Sequence, residues 1–287
     1  MTDIRTRNGG QLLMDSLVAL GATRGFGVPG ESYLAVLDAM VDHANAFDLV
    51  LCRQEGGAAY MAAAWGKLTG EPGLCFVTRG PGATNATVGI HTAMQDSVPM
   101  ILFVGQVGTD VMGREAFQEV DYTAFFGPLA KWAVQIDHVD RVPEIISRAW
   151  TVALSGRPGP VVVALPEDML VGTSDRLPCD PVAIPEPAVP EAGAAQMAAM
   201  LATAERPVML VGGTRWTAGS ARALESFAAA NDVPVVAAFR FHDIIDNHCP
   251  SFVGDAGVAM NAYMKDLLRE ADLIVAINIR FGESTTD

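Results

Sequence analysis

A chain of 287 residues, half of them apolar and 18% charged, is long enough to bury two hydrophobic cores of ordinary domain size. Its formal net charge of −14 repels phosphate, which argues against nucleic acid and anionic membrane surfaces as partners and leaves any phosphate-bearing ligand in need of a local arrangement or a cation. Residues 1–10 carry no apolar secretory core, and the longest apolar runs, such as residues 98–104, are too short to span a bilayer, so a cytoplasmic location is the default expectation.

Taken in chain order, the hydrophobic pattern predicts a helix over 10–20, a strand over 24–28, a helix over 33–42, a strand over 48–52, a helix over 56–69, a strand over 73–78, a helix over 85–96 and a strand over 100–105. An irregular stretch over 108–131 follows, then a helix over 143–154 and a strand over 161–165. This alternation predicts an α/β domain with a mostly parallel sheet, placed at residues 1–170. Five prolines, Pro178, Pro181, Pro185, Pro187 and Pro190, remove backbone donors and fix φ, which predicts a linker over 171–192. A second doubly wound, Rossmann-like domain is expected over 193–287, with helices over 191–204, 218–230 and 258–270 and strands over 207–211, 233–238 and 272–277. Its pattern stops after a strand, where another helix is expected, so this domain reads as incomplete.

The residue with the most chemistry in its position is Glu55, an acid between the apolar strand Asp48-Leu49-Val50-Leu51-Cys52 and a helix of small residues. That is the carboxyl edge of a sheet, where open α/β folds collect their ligands. The plainest alternative is that acids are favoured in the first turn of any helix by the macrodipole. The segment Thr78-Arg79-Gly80-Pro81-Gly82-Ala83-Thr84-Asn85 also joins a strand to a helix, and its glycines could turn backbone N–H groups to an anion. It matches neither GxGxxG nor the phosphate loop, so a tight turn that needs glycine serves equally well. Cys52, Cys75, Cys179 and Cys249 form no CxxC pair, and two lie in apolar runs, which predicts buried thiols rather than a metal centre or disulfides. The five histidines show no HxxxH or HExxH spacing and no GxSxG elbow occurs, so a hydrolase has little support.

Seven segments in series, Gly25 to Gly30, Arg53 to Ala59, Thr78 to Asn85, Asp96 to Pro99, Gly105 to Val107, Ala116 to Glu119 and Gly156 to Val161, resemble the first two domains of acetolactate-synthase-like thiamine-diphosphate enzymes. The resemblance implies a pyrimidine-binding domain followed by a central domain, with a diphosphate-binding domain and its Mg2+ ligands normally beyond them. In such enzymes a glutamate, here Glu55, hydrogen-bonds the aminopyrimidine N1′ and favours the tautomer that removes the thiazolium C2 proton. For that role Glu55 is expected to be buried against apolar neighbours. Pro29, Gly30, Thr78, Gly82, Asn85 and Phe117 are the further cofactor-side residues the resemblance implies, and Gln118 a second catalytic candidate.

Departures from the family pattern bear on the substrate. Arg79 stands where serine is usual, and Gln54 where a histidine commonly precedes the glutamate. Simple 2-keto acid decarboxylases of the superfamily often carry a histidine pair in the segment corresponding to 113–119; this chain has none there, which favours carboligation, with Phe117 and Gln118 lining the site. Phe117 is equally readable as an ordinary core aromatic. Arg157 matches the arginine that contacts FAD in flavin-bearing members, a motif that other relatives keep as a turn without flavin. Gly254-Asp255-Ala256, with Asn278 downstream, imitates the metal-binding signature of the diphosphate domain but sits in what reads as the central domain, so no metal ligand is assigned. The expected activity of the intact protein is decarboxylation of pyruvate and transfer of the two-carbon unit to a second 2-keto acid, in a dimer or tetramer with the site between subunits. The alternatives are a non-catalytic fragment or partner subunit, or a related thiamine enzyme such as an oxidase, an oxalyl-type decarboxylase or a sulfoacetaldehyde acetyltransferase.

Overall fold

The computed structural model describes residues 6–286; residues 1–5 of the expected first domain, and the last residue of the second, lie outside the described residues. The chain divides into two compact units, Met1–Glu186 and Pro187–Asp287.

The first unit runs β1 (Arg7–Asn8), α1 (Gly9–Ala19), β2 (Arg24–Gly27), α2 (Leu34–Asp42), β3 (Asp48–Leu51), α3 (Glu55–Thr69), β4 (Gly73–Val77), α4 (Pro81–Asp96), β5 (Met100–Gln106), α5 (Tyr122–Phe126), β6 (Trp132–Gln135), α6 (Val142–Leu154), β7 (Pro160–Pro166), α7 (Glu167–Val171) and β8 (Thr173–Ser174). Six of these strands form one parallel sheet in the order β3-β2-β4-β5-β7-β6, and β1 pairs antiparallel with β8. The central strands β4, β5 and β7 are buried at every position, which is why they read as continuous apolar runs. Their side chains alternate: Leu74, Phe76, Ile101, Phe103, Val161 and Val163 join α1, α2 and α6 in one core, while Cys75, Val77, Leu102, Val104, Val162 and Ala164 face α3, α4 and α5 in the other.

On that second face small residues set the spacing. A Cβ on Gly89 of α4 would lie 2.4 Å from the Cβ of Ala59 on α3, and one on Gly66 would lie 2.2 Å from the carbonyl oxygen of Pro99. Ala58, Ala59, Ala62 and Ala63 are all consumed by this internal packing, and only Ala64 of the alanine run is exposed.

The second unit runs α8 (Glu191–Thr203), β9 (Pro207–Val211), α9 (Ala218–Ala230), β10 (Val235–Ala238), β11 (Phe252–Ala256), α10 (Ala262–Glu270), β12 (Leu273–Ile277) and α11 (Glu283–Thr286). Its four strands pair in parallel in the order β11-β10-β9-β12, with cores on both faces. The Asp272 carboxylate accepts the backbone N–H groups of Glu205 at 2.7 Å and Arg206 at 2.9 Å, bonds that hold its pKa below the usual carboxylate range.

Elements the periodicity did not predict are short or half-buried. α5 lies inside the stretch expected to be irregular, β6 is a four-residue edge strand of intermediate burial, and β11 pairs with β10 through a register shift beside Gly254 at φ +129. α10 starts later than expected because the Asn261 side chain caps it, accepting from Met264 N at 2.8 Å.

Candidate active site at the carboxyl edge of the first sheet

β2 lies between β3 and β4, and the chain leaves β2 for one neighbour and returns to the other, so the loops after β2 and β4 flank the switch point of the sheet. They touch closely: a Cβ on Gly30 would lie 2.4 Å from the Cβ of Thr78. Thr78 Oγ1 and Ser32 Oγ share a hydrogen bond at 2.8 Å, and Ser32 Oγ also accepts the Arg79 backbone N–H at 3.2 Å. Pro29 is exposed in the same loop.

Glu55 is the first residue of α3. Gln54, standing where a histidine was expected, is its N-cap: the side-chain oxygen accepts Gly57 N at 2.7 Å. Glu55 is half-buried rather than buried, because a first-turn residue at the sheet edge leaves one side to solvent. Asn85 is exposed and donates from Nδ2 to Glu55 Oε2 at 2.9 Å. α4 begins at Pro81, four residues before the expected start, since proline in a first turn gives up a donor that has no helical partner anyway. That earlier start moves Asn85 from the first residue of the helix into its second turn, where its place is set by the packing of α3 on α4.

Among the described residues Glu55 Oε1 accepts no hydrogen bond. A Cβ on Gly82 would stand 2.9 Å from Thr78 Cγ2 and 3.7 Å from Glu55 Oε1, so the glycine keeps open the space between them. A threonine, a glycine and one oxygen of a carboxylate bound this space.

Gln118 is half-buried at φ +64 beside Gly80 at φ +57; a Cβ on Gly80 would lie 2.8 Å from that of Gln118. The Gly80 N–H donates to the hydroxyl of buried Tyr122 at 2.7 Å, and burial raises the pKa of that phenol. Phe117 is 72% exposed, so it is not a core aromatic. It borders a cleft of about 400 Å3 with Arg79, Val107, Val111, Arg114 and Glu167. Within this loop the Glu119 carboxylate accepts Gly113 N at 2.7 Å and Ala116 N at 3.1 Å.

Arg79 is the residue whose part the sequence reading missed. It is 8% exposed; Nε donates to the Phe117 carbonyl at 3.1 Å, one terminal nitrogen to Glu31 at 2.9 Å and the other to Glu167. The signal available was a charge standing in a turn of small residues.

Arg157 is not part of this constellation. It precedes β7, at the opposite end of a seven-residue strand, about 20 Å away along the sheet. There its Nε donates to Ser97 Oγ at 2.8 Å and a terminal nitrogen to the Met94 carbonyl, closing the C-terminus of α4, where Ser97 adopts φ +58. Asp255 is the next-to-last residue of β11 and is exposed, and no group of three His, Cys, Asp or Glu side chains able to hold a metal ion occurs among the described residues.

A parallel sheet with a carboxylate at its switch point is an α/β domain with that acid where open α/β folds collect their ligands. Comparison with known proteins gives the family: residues 7–125 match the thiamine pyrophosphate enzyme, N-terminal TPP binding domain, and residues 194–287 match the thiamine pyrophosphate enzyme, central domain. The chain belongs to the thiamine pyrophosphate enzymes and is acetolactate synthase-like within them. It is 34% identical over 279 residues to the acetolactate synthase isozyme 2 large subunit of Escherichia coli K12, covering 97% of this chain and 50% of that protein. It is 34% identical over 293 residues to the acetolactate synthase large subunit of Parasynechococcus marenigrum (98% and 47%), and 32% identical over 290 residues to the mitochondrial acetolactate synthase catalytic subunit of Saccharomyces cerevisiae (97% and 42%). The chain thus spans about half the length of the curated relatives it matches.

Proposed function

We propose that this chain supplies the pyrimidine side of the active site of a thiamine-diphosphate-dependent carboligase acting on 2-keto acids, over residues 1–170, with a linker at 171–192 and a central domain from 193 onward. The observation that carries the reading is the Glu55 carboxylate, held through Oε2 by Asn85 while Oε1 faces the space kept open by Gly82. When bound, thiamine diphosphate supplies the electron sink for decarboxylation and two-carbon transfer. Glu55 exchanges a proton with the pyrimidine ring at Oε1, and Asn85 keeps the carboxylate from rotating. Thr78, packed against Gly30 and Gly82, would hold the ring together with Pro29. Gln118 and Phe117 line the substrate side, and the absence of histidine from residues 113–119 supports carboligation over simple decarboxylation.

Mg2+ and the diphosphate belong, in this reading, to a further domain, so the site is completed in a homo-oligomer and this chain alone is inactive. A cytoplasmic location goes with it; no helix among the described residues is long and apolar enough to cross a membrane. FAD has no part in the proposal, since two of the Arg157 nitrogens already serve the end of α4.

The test is calorimetric titration of the native gene product, and of this chain, with thiamine diphosphate and Mg2+, followed by assay with pyruvate alone and with a second 2-keto acid. Tight binding and carboligation by the native product are expected. A native product that binds no cofactor overturns the reading in favour of a non-catalytic partner subunit, and turnover without carboligation assigns it to a related oxidase or decarboxylase.

A further inference from the structure

We propose that Arg79 is a positioning residue that fixes the Phe117–Gln118 loop at the candidate site, a role that deepens the carboligase reading and rests on it for its kinetic part. Four segments meet at this one residue. Its backbone N–H binds Ser32 and its guanidinium binds Glu31, both from the loop after β2; Nε binds the Phe117 carbonyl; and the third nitrogen binds Glu167 at the start of α7. A guanidinium side chain only 10% exposed needs such partners, and its planar fork reaches three acceptors on three segments where a lysine ammonium cannot.

The loop needs holding. Phe117 is 72% exposed, so burial of its ring does not anchor the segment, and Glu115 and Gln118 both adopt positive φ, +54° and +64°, which side-chain-bearing residues keep only under constraint. The constraints include the two Glu119 side-chain bonds and backbone bonds inside the loop, such as Glu119 N to the Ala116 carbonyl at 3.0 Å, the closeness of Gln118 to Gly80, and the Arg79 bond to the Phe117 carbonyl. The last ties residues 111–119 by a hydrogen bond to the turn that also carries Thr78 and Gly82, and the Gly80 N–H bond to Tyr122 fastens the same turn just past the loop. Gln118 therefore takes its position relative to the space beside Glu55 from Arg79, through the carbonyl of the preceding residue.

Arg79→Met keeps length without donors, and because the Glu31 and Glu167 side chains are 69% and 45% exposed, they return to water rather than being stranded. In the full-length protein, hydrogen exchange over residues 111–119 is expected to quicken about tenfold or more, the scale of one charge-assisted hydrogen bond, while β5 amides keep their protection. In the thiamine-dependent assay, Arg79→Met lowers kcat/KM about tenfold, Arg79→Lys less, and Arg79→Met costs nothing further in a Gln118→Ala background. Unchanged loop exchange overturns the proposal, as does full additivity with Gln118→Ala. Should Arg79→Met also expose β5, Arg79→Lys decides by the same loop-confined criterion. The exchange arm needs no activity: a loosened loop in a protein without thiamine-dependent turnover sinks the carboligase reading and leaves Arg79 as the residue that holds the loop.

Discussion

Asn85 donates to Glu55 Oε2 at 2.9 Å, joining the first turn of α3 to the second turn of α4, two helices that leave strands on either side of β2 and cross the same face of the sheet. The bond divides the carboxylate into a fixed oxygen and an available one. Because the helices are already locked by glycine and alanine contacts, the orientation is set by folding and costs no rearrangement when a ligand arrives.

Replacing Glu55 by Gln keeps the size and the helix start but removes the exchangeable carboxyl proton. Turnover of the full-length enzyme is expected to fall at least about 100-fold, the usual reach of a positioned acid or base, with little change in the cofactor Kd. Loss of a favourable first-turn charge costs only about 0.5 kcal/mol of stability. Steady-state kinetics with a thermal melt check both, and unchanged turnover would remove Glu55 from the mechanism.

Asn85→Ala tests the fixed oxygen. The side chain is exposed, so stability is expected to change by less than about 1 kcal/mol, while turnover falls roughly tenfold as the carboxylate gains freedom to rotate. The defect should be smaller than that of Glu55→Gln, and the two should be non-additive when combined. Equal or additive losses would give Asn85 a separate role.

Much of this was legible because the centre of the sheet is buried on both faces: β4, β5 and β7 announce themselves as apolar runs, the Thr78–Asn85 turn follows β4 directly, and Glu55 follows the short apolar edge strand β3 after three residues. Periodicity is weakest where burial is partial, which hid β6, and where a segment is ordered by single polar contacts, which hid α5, capped by Asp121 through Thr123 N and Ala124 N at 3.0 Å each. The half-burial of Glu55 and the three-way grip of Arg79 depend on residues up to 88 positions apart, and no local pattern carries that information. The bonds of Arg157 to Ser97 and Met94 were likewise not legible locally, because the partners lie 60 and 63 positions away.

Gly89→Ala tests the helix contact beneath the site. The added methyl would lie 2.4 Å from the Ala59 Cβ and 2.7 Å from the Ala59 carbonyl carbon, so α4 must move away from α3. A loss of about 1–3 kcal/mol is expected in urea unfolding, with part of the Asn85→Ala kinetic defect appearing alongside. Gly57→Ala is the control: its nearest neighbour would be 3.8 Å away, and a helical alanine should be neutral or stabilise by up to about 1 kcal/mol. A neutral Gly89→Ala would mean that the two helices can separate freely.

Alkaline pH should destabilise the first unit through Cys75 and Tyr33. Burial is the main cause that pushes both groups far above their ordinary values of 9.0 and 10.0, aided by nearby negative charge including Glu55. The unfolded chain therefore releases these protons while the folded chain retains them. Stability depends on pH as the protons bound unfolded minus those bound folded, a difference that is negative here, so stability is complete below about pH 9 and declines above it. Each group contributes a slope approaching about 1.4 kcal/mol per pH unit once the pH exceeds its unfolded value, Cys75 first and Tyr33 from about pH 10. Cys75→Ala should lose about 1 kcal/mol at neutral pH from the lost sulfur contacts and then show a shallower decline, so the variant overtakes the native chain as the pH climbs. Urea midpoints between pH 8 and 10.5 measure this directly, and parallel curves for the two proteins would show that the thiol ionises no differently folded than unfolded.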